Sequence, residues 1–373
     1  MHAPTLVDLT QLAAEIERHE ALYRAGRPEI SDAAFDDLER SYQTMADALD
    51  VPAEQRVLRR PGDDRTEGFA KVRHRLPMLS LEKAATWPDR LTDGQDPAPA
   101  QIPPEAKERR QFALGQLEQW AERTASAIGQ AAAGLRLALE PKIDGISVSL
   151  TYRDGRLVQA ATRGDGVEGD NITAQVLAAA AVPATVATPG AFEVRGELYL
   201  PRAAFDRINA DLIATGDAPL VNPRNGCAGL MKRKDPTGLH GAGIRGFLYH
   251  VAWSDGIDLP TGQIDRCRWL AGLGFQVHPG SEQVIGVDAA YARCRDWAGR
   301  RQSLDHDIDG MVLKVDDTTT WDALGATEHH PRWGIAYKFP PERRATLLQA
   351  VTVQVGKTGK LTPVAELAPV FVA

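Results

Sequence analysis

The chain has 373 residues, of which 43% are hydrophobic and 25% charged, and it carries a formal net charge of −7. Such a length admits two or three domains, the composition is that of an ordinary soluble globular protein, and no segment approaches the unbroken apolar length a membrane helix needs. No basic-then-apolar leader opens the sequence, and Cys227, Cys267 and Cys294 lack the spacing of a disulfide framework or a zinc site, so a cytoplasmic location without a membrane partner is expected. The acidic balance argues against a partner gripped mainly by phosphate electrostatics, although Arg224, Lys232, Arg233 and Lys234 form a local basic run.

Leu9, Leu12, Ile16 and Tyr23 stand at helical spacing, and Gly26-Arg27-Pro28 ends that helix. Ser31 is a predicted N-cap for a second helix, whose apolar stripe runs through Phe35, Leu38, Tyr42, Met45 and Leu49. Asp32 and Asp36, four apart, share a face of its first turns. Residues 51–66 read as a polar, basic linker, and 87–105 as a proline-rich exposed loop; residues 111–127 resume a helical pattern.

After Gly134 the period becomes strand-like. Leu135, Leu137 and Leu139 alternate into Glu140, and Ile146, Val148, Leu150 and Tyr152 alternate up to Asp154-Gly155, a two-residue hairpin signal. A regular hairpin there sets Tyr152 opposite Leu157 and Ile146 opposite Arg163, bringing Arg163 back toward Lys142. Further strands are expected over 192–200, 244–253, 308–315 and in the final segment from 347, with a helix over 205–213. Strands and helices without regular βαβ alternation predict an α+β fold with a largely antiparallel core.

Charged residues interrupt these strands: Glu140, Lys142, Asp144, Arg163, Glu197, Asp309, Lys314 and Lys338. Burying such charges singly is expensive, so one shared pocket of opposite charges is the economical arrangement. Lys142, between Glu140 and Asp144, reads as a nucleophile. An amine attacks only when neutral, so a nucleophilic lysine needs neighbours that disfavour its charge, and other lysines serve that end. Carboxylates in the same pocket suit Mg²⁺, directly or through water.

Six motifs occur in order: Glu140-Pro141-Lys142-Ile143-Asp144-Gly145, Ala161-Thr162-Arg163-Gly164-Asp165-Gly166, Glu193-Val194-Arg195-Gly196-Glu197, Asn222-Pro223-Arg224-Asn225, Asp307-Ile308-Asp309-Gly310-Met311-Val312-Leu313-Lys314, and residues 331–340 with Lys338. On these the chain resembles the covalent nucleotidyltransferases and, within them, bacterial NAD-dependent DNA ligases. The segment Pro28 to Asp36 carries the likeness to the NAD branch.

The resemblance implies three regions: a helical nicotinamide-mononucleotide-recognition domain over 1–66, an adenylation domain over 67–342 with ATP-grasp-like, mostly antiparallel sheets, and an incomplete OB-fold segment over 343–373. It implies that Lys142 takes AMP from NAD for later transfer to the 5′-phosphate of nicked double-stranded DNA, in replication and repair. It also implies that Glu140, Ser80 and Leu81 meet adenine, that Tyr249 and Val312 sandwich it, and that Arg163 and Glu197 lie at the ribose. Lys314 and Lys338 would contact phosphate, and Glu197 and Asp309 the hydration shell of Mg²⁺ or Mn²⁺. Asp144 joins the catalytic set, Arg224 and Lys232 face the DNA 5′-phosphate, and Tyr23, Asp32, Ala33, Ala34, Phe35 and Asp36 grip the nicotinamide half.

Three substitutions depart from the family pattern: Arg24 for its usual histidine, Phe35 for a tyrosine and Lys357 for an arginine. The zinc, helix-hairpin-helix and terminal interaction domains of a full ligase do not follow, so adenylation with weak nick sealing in isolation is expected, or sealing with a second polypeptide that supplies a DNA clamp. The alternatives are a degenerate ligase remnant that binds nucleotide or DNA, which Arg24 and Phe35 favour, and an ATP-dependent polynucleotide ligase, which the Asp32 to Asp36 segment opposes.

Overall fold

The computed structural model describes residues 5–24, 30, 32–49, 51, 68–84, 106–327, 330–339, 345–355 and 361–370. Helices α1 (Leu6–Arg24) and α2 (Asp32–Ala48) pair through the stripe that spacing predicted. Leu9, Ala13, Ile16, Tyr42 and Ala46 are buried between them, with Leu12, Phe35, Leu38, Met45 and Leu49 at the margin. Ser31 lies outside the described residues.

The chain continues through β1 (Lys71–Arg73), β2 (Glu82–Ala84), α3 (Ala106–Ala127), β3 (Arg136–Ile143), β4 (Ile146–Arg153), β5 (Arg156–Thr162) and β6 (Glu168–Asp170). Next come α4 (Thr173–Ala179), β7 (Ala191–Tyr199), α5 (Arg202–Thr215), α6 (Pro223–Met231), β8 (Arg245–Asp255), α7 (Gln263–Gly272) and β9 (Glu282–Ile285). They are followed by α8 (Val287–Arg300), β10 (Ile308–Val315), α9 (Trp321–Leu324) and β11 (Gly334–Lys338).

Two sheets dominate this mixed α/β fold. A five-stranded sheet has the order β2-β11-β10-β3-β9, and a four-stranded sheet the order β5-β4-β7-β8. Every pairing in them is antiparallel except β2 with β11. The first sheet buries Leu137, Leu139, Met311 and Leu313 against Leu117 and Trp120 of α3 and Tyr291 and Cys294 of α8. The second buries Val148, Leu150, Val194 and Leu198 against Val176 of α4, Cys227 and Met231 of α6 and Leu270 of α7. Each sheet thus has its own core, as amphipathic helices laid on a sheet face require.

Only Asp144 and Gly145 separate β3 from β4, yet these strands enter different sheets. A Cβ on Gly145 would stand 2.3 Å from the Leu198 carbonyl oxygen, so glycine is needed where the chain crosses. The β4–β5 hairpin forms at Asp154-Gly155, both with positive φ (47° and 73°), as a type I′ turn demands. Tyr152 faces Leu157 as expected, but a bulge between Thr151 and Tyr152 shifts the register. Val148 therefore meets Thr162, and the expected pairing of Ile146 with Arg163 does not occur. One extra residue in β5 moves every later partner by one, which strict alternation cannot reveal.

Residues Pro340–Ala373 form a separate compact unit. In it β12 (Leu348–Val355) and β13 (Leu361–Leu367) pair antiparallel. Lys357 lies outside the described residues.

Candidate active site

Register on the five-stranded sheet sets the sequence-predicted residues in rows. Gly310 of β10 pairs with Lys142 of β3 on one side and with Lys338 of β11 on the other. The next row joins Glu140, Val312 and Ala336, and the one after it Ala138, Lys314 and Gly334. Partners across a strand pair project to the same face, so Glu140, Lys142, Val312, Lys314 and Lys338 share one surface. Glycine between two lysines leaves that surface open. A Cβ at Gly310 would come within 2.1 Å of the Tyr337 carbonyl oxygen.

Asp309 reaches the same face by an irregularity. The β3–β10 register shifts between Ile308 and Gly310, which makes Asp309 the extra residue of a bulge, and bulges re-aim side chains. Its carboxylate receives Lys142 Nζ at 3.0 Å on Oδ2 and 2.9 Å on Oδ1, with Lys338 Nζ 3.8 Å from Oδ2. Burial pushes the Asp309 carboxyl up, but the charges of Lys142, Lys338 and Arg224 outweigh it and hold the group below its ordinary value.

The four-stranded sheet supplies the other wall. Glu197 of β7 pairs with Ser147 of β4, whose hydroxyl donates to Glu197 Oε1 at 2.8 Å. The Tyr249 hydroxyl donates to the same oxygen at 3.2 Å, whereas Oε2 is buried with no hydrogen-bond partner among the described residues. Burial raises the Glu197 carboxyl above its ordinary value despite the Ser147 hydrogen bond and the charges of Lys142, Arg224 and Arg163. Tyr249 is also a bulge residue, since Arg195 faces His250 while Gly196 faces Leu248. Burial, then the carboxylates of Glu197 and Glu140, drive its phenol well above the ordinary value.

Glu140 and Lys314 form an ion pair of 2.7 Å in which both side chains are only 4% exposed, and Lys314 Nζ lies 4.8 Å from the Tyr249 ring centroid. Both residues belong to the five-stranded sheet, on the neighbouring strands β3 and β10, and Tyr249 of β8 stands across the gap between the sheets. Gln263, at the start of α7, closes it by donating to Glu140 Oε1 at 2.7 Å and to the Tyr249 carbonyl at 2.6 Å. Periodicity gave no sign of Gln263, a polar residue at the start of the amphipathic helix α7.

Arg224 lies in the first turn of α6, a helix that begins because Asn222 caps Asn225 N–H at 2.7 Å and Pro223 occupies the first position. Its guanidinium donates to Asp144 at 2.9 Å. Lys232 is the C-cap residue of α6, so of the basic run only Arg224 is helical, and Lys232, Arg233 and Lys234 follow the helix end. Arg163 follows β5 and offers its carbonyl to His74 Nε2 at 3.1 Å. Ser80 and Leu81 precede β2; the Ser80 carbonyl accepts from His330 at 3.0 Å, and the Leu81 side chain lies over Gly334. Phe35 packs in the α1–α2 core, while the side chains of Tyr23, Asp32, Ala33, Ala34 and Asp36 lie outside the described residues.

Lysines and carboxylates gathered between two largely antiparallel sheets have the chemistry to hold a phosphorylated ligand beside an amine. The sequence profile of the NAD-dependent DNA ligase adenylation domain matches residues 109–342. The chain is 37% identical to a DNA ligase of Heliobacterium modesticaldum, covering 98% of this chain and 50% of that protein. It is 38% identical to a DNA ligase of Cereibacter sphaeroides, covering 99% and 49% respectively. Among solved structures, a mycobacterial DNA ligase D complexed with ATP and MES aligns at 15% identity over 56% of this chain and 57% of that one, with a TM-score of 0.32. A Naegleria gruberi RNA ligase mutant aligns at 12% identity over 62% of this chain and 53% of that one, with a TM-score of 0.31. The chain belongs to the NAD-dependent DNA ligase adenylation domain family. It spans about half the length of the curated relatives it matches. No helix among the described residues is long and apolar enough to cross a membrane.

Proposed function

We propose that this chain adenylates itself, with Lys142 taking AMP from NAD as the first step of DNA ligation. The observation that carries this reading is the row Lys142–Gly310–Lys338, in which two lysines share Asp309 across a strand reduced to backbone. In the step proposed, Lys142 Nζ attacks the adenylyl phosphorus. A P–N bond forms, the P–O bond to nicotinamide mononucleotide breaks, and that group leaves with the bonding pair while the amine yields a proton to solvent. Lys338 and Lys314 stabilise charge on the phosphate oxygens, and Arg163 and Glu197 meet the ribose.

Glu140, Ser80, Leu81, Tyr249 and Val312 form the purine pocket. Glu197 and Asp309 fit the hydration shell of Mg²⁺ or Mn²⁺, because both are carboxylates and Glu197 Oε2 has no hydrogen-bond partner among the described residues. That cation, when bound, neutralises phosphate charge. Tyr23, Asp32, Ala33, Ala34, Phe35 and Asp36, in a helical region over 1–66, bind the nicotinamide half. Residues 67–342 form the adenylation domain, and the β12–β13 hairpin within 343–373 begins an OB fold. Arg224 and Lys232 face the 5′-phosphate of nicked duplex DNA, to which the AMP passes next, and Asp144 holds Arg224 in place. A second polypeptide is one source of a clamp for that duplex, and the cytoplasm is where the reaction runs.

Incubation with NAD and Mg²⁺ followed by intact-protein mass spectrometry tests the first step. An AMP adduct is expected on the wild type and not on Lys142→Ala, and an adduct that survives the substitution would refute the nucleophile. Labelling by ATP in place of NAD would point to a polynucleotide ligase of the ATP branch.

A further inference from the structure

Gln263 is fully buried, at 0% exposure, and its side-chain nitrogen donates to two walls of the purine pocket at once. One bond goes to Glu140 on the five-stranded sheet and the other to the Tyr249 carbonyl on the four-stranded sheet. Its amide orientation is fixed by those partners. Both are acceptors, so the reverse orientation would set the Gln263 oxygen against a carboxylate and a carbonyl. The oxygen is left buried without a hydrogen-bond partner among the described residues.

The backbone of Gln263 is held just as firmly. Its N–H donates to the Asp316 carbonyl at 2.7 Å, and Asp316 Oδ1 accepts from Ile264 N–H at 3.0 Å. Gln283 donates to the second Asp316 oxygen. Asp316 stands two residues beyond Lys314, so one stretch of chain both pairs Glu140 and seats the residue that orients it.

We propose that Gln263 is the positioning residue that sets base specificity, by locking the Glu140 carboxylate so that it recognises a 6-amino purine and rejects a 6-oxo one. Lys314 fixes Oε2 of Glu140 and Gln263 fixes Oε1. Each oxygen keeps a second lone pair, and a carboxylate held this way presents acceptors only. An exocyclic amine donates to it; a 6-oxo group meets it acceptor to acceptor. Without Gln263 the carboxylate has one fixed oxygen and can rotate away from the base, and the Tyr249 backbone loses its tie to the facing sheet. This inference rests on the adenylation reading above.

The test compares NAD with nicotinamide hypoxanthine dinucleotide as adenylyl donor, in single-turnover reactions of the full chain read by intact-protein mass. Wild type is expected to prefer NAD. Gln263→Leu is expected to shrink that preference by roughly tenfold or more, mostly through weaker apparent NAD binding with little change at saturation, because discrimination by a hydrogen bond depends on the bond being held in place. Gln263→Glu should shrink it too, by turning a second carboxylate toward Glu140. The ratio is taken within one preparation, so the folded fraction cancels. A Gln263→Leu protein with the wild-type ratio would overturn the proposal, as would a wild type without preference. Loss of all labelling from both donors in both variants, at the wild-type melting temperature, would also overturn it, since Gln263 would then be a general requirement. A wild type that takes no AMP from NAD would overturn the adenylation reading and this inference with it.

Discussion

Lys314→Met removes one half of a buried ion pair, and its cost can be worked from the geometry. The charges stand 2.7 Å apart with both side chains 4% exposed. At an effective dielectric of about 20 their attraction is ~6 kcal/mol, but the desolvation of two ions offsets most of it. What the substitution exposes is the orphaned Glu140 carboxylate, and breaking such a pair costs about 3–5 kcal/mol. Gln263 still donates to Glu140 Oε1, which favours the lower end. Adding Glu140→Gln to Lys314→Met removes the orphan charge and should recover most of the loss.

Urea unfolding followed by tryptophan fluorescence reads this, since Trp120 and Trp321 are buried in the core beneath the five-stranded sheet. Lys142→Met is the internal control. That lysine and Asp309 are 29% and 27% exposed, and Lys338 remains 3.8 Å from the carboxylate, so the loss should stay under ~1 kcal/mol. A Lys314→Met protein within about 1 kcal/mol of wild type, or a double variant as unstable as the single one, would refute the reasoning.

Burial holds the Glu197 carboxyl above its ordinary 4.5, so the fold favours its protonated form and loses stability as pH rises through the folded value. Glu197→Gln should therefore melt above wild type at neutral pH, with the gain gone once pH falls below 4.5; matching melting curves at neutral pH would contradict this. Gly310→Ala forces a methyl against the Tyr337 carbonyl oxygen and should cost about 1–3 kcal/mol while displacing Lys338, and an unchanged melting temperature would show that the β10–β11 ladder has more room than its register implies. Asp36→Ala should slow adenylation by NAD and leave sealing of pre-adenylated nicked DNA intact, and equal adenylation rates would remove Asp36 from nicotinamide recognition.

Local chemistry made much of this chain legible in the sequence. The α1–α2 stripe, the Asp154-Gly155 turn and the alternation of β3, β4, β7 and β10 follow from spacing and backbone preference, which act over a few residues. The charged residues that interrupt those strands were also visible, because a buried charge demands a partner. Which sheet each strand would join was not visible: two residues separate β3 from β4, and nothing in them states that the strands part. The bulges at Asp309 and Tyr249 were equally hidden, since an extra residue is defined only against the strand it fails to pair with. Gln263 became visible last. Its polar atoms matter only once the fold brings Glu140 and Tyr249, distant in sequence and on different sheets, within reach of one amide.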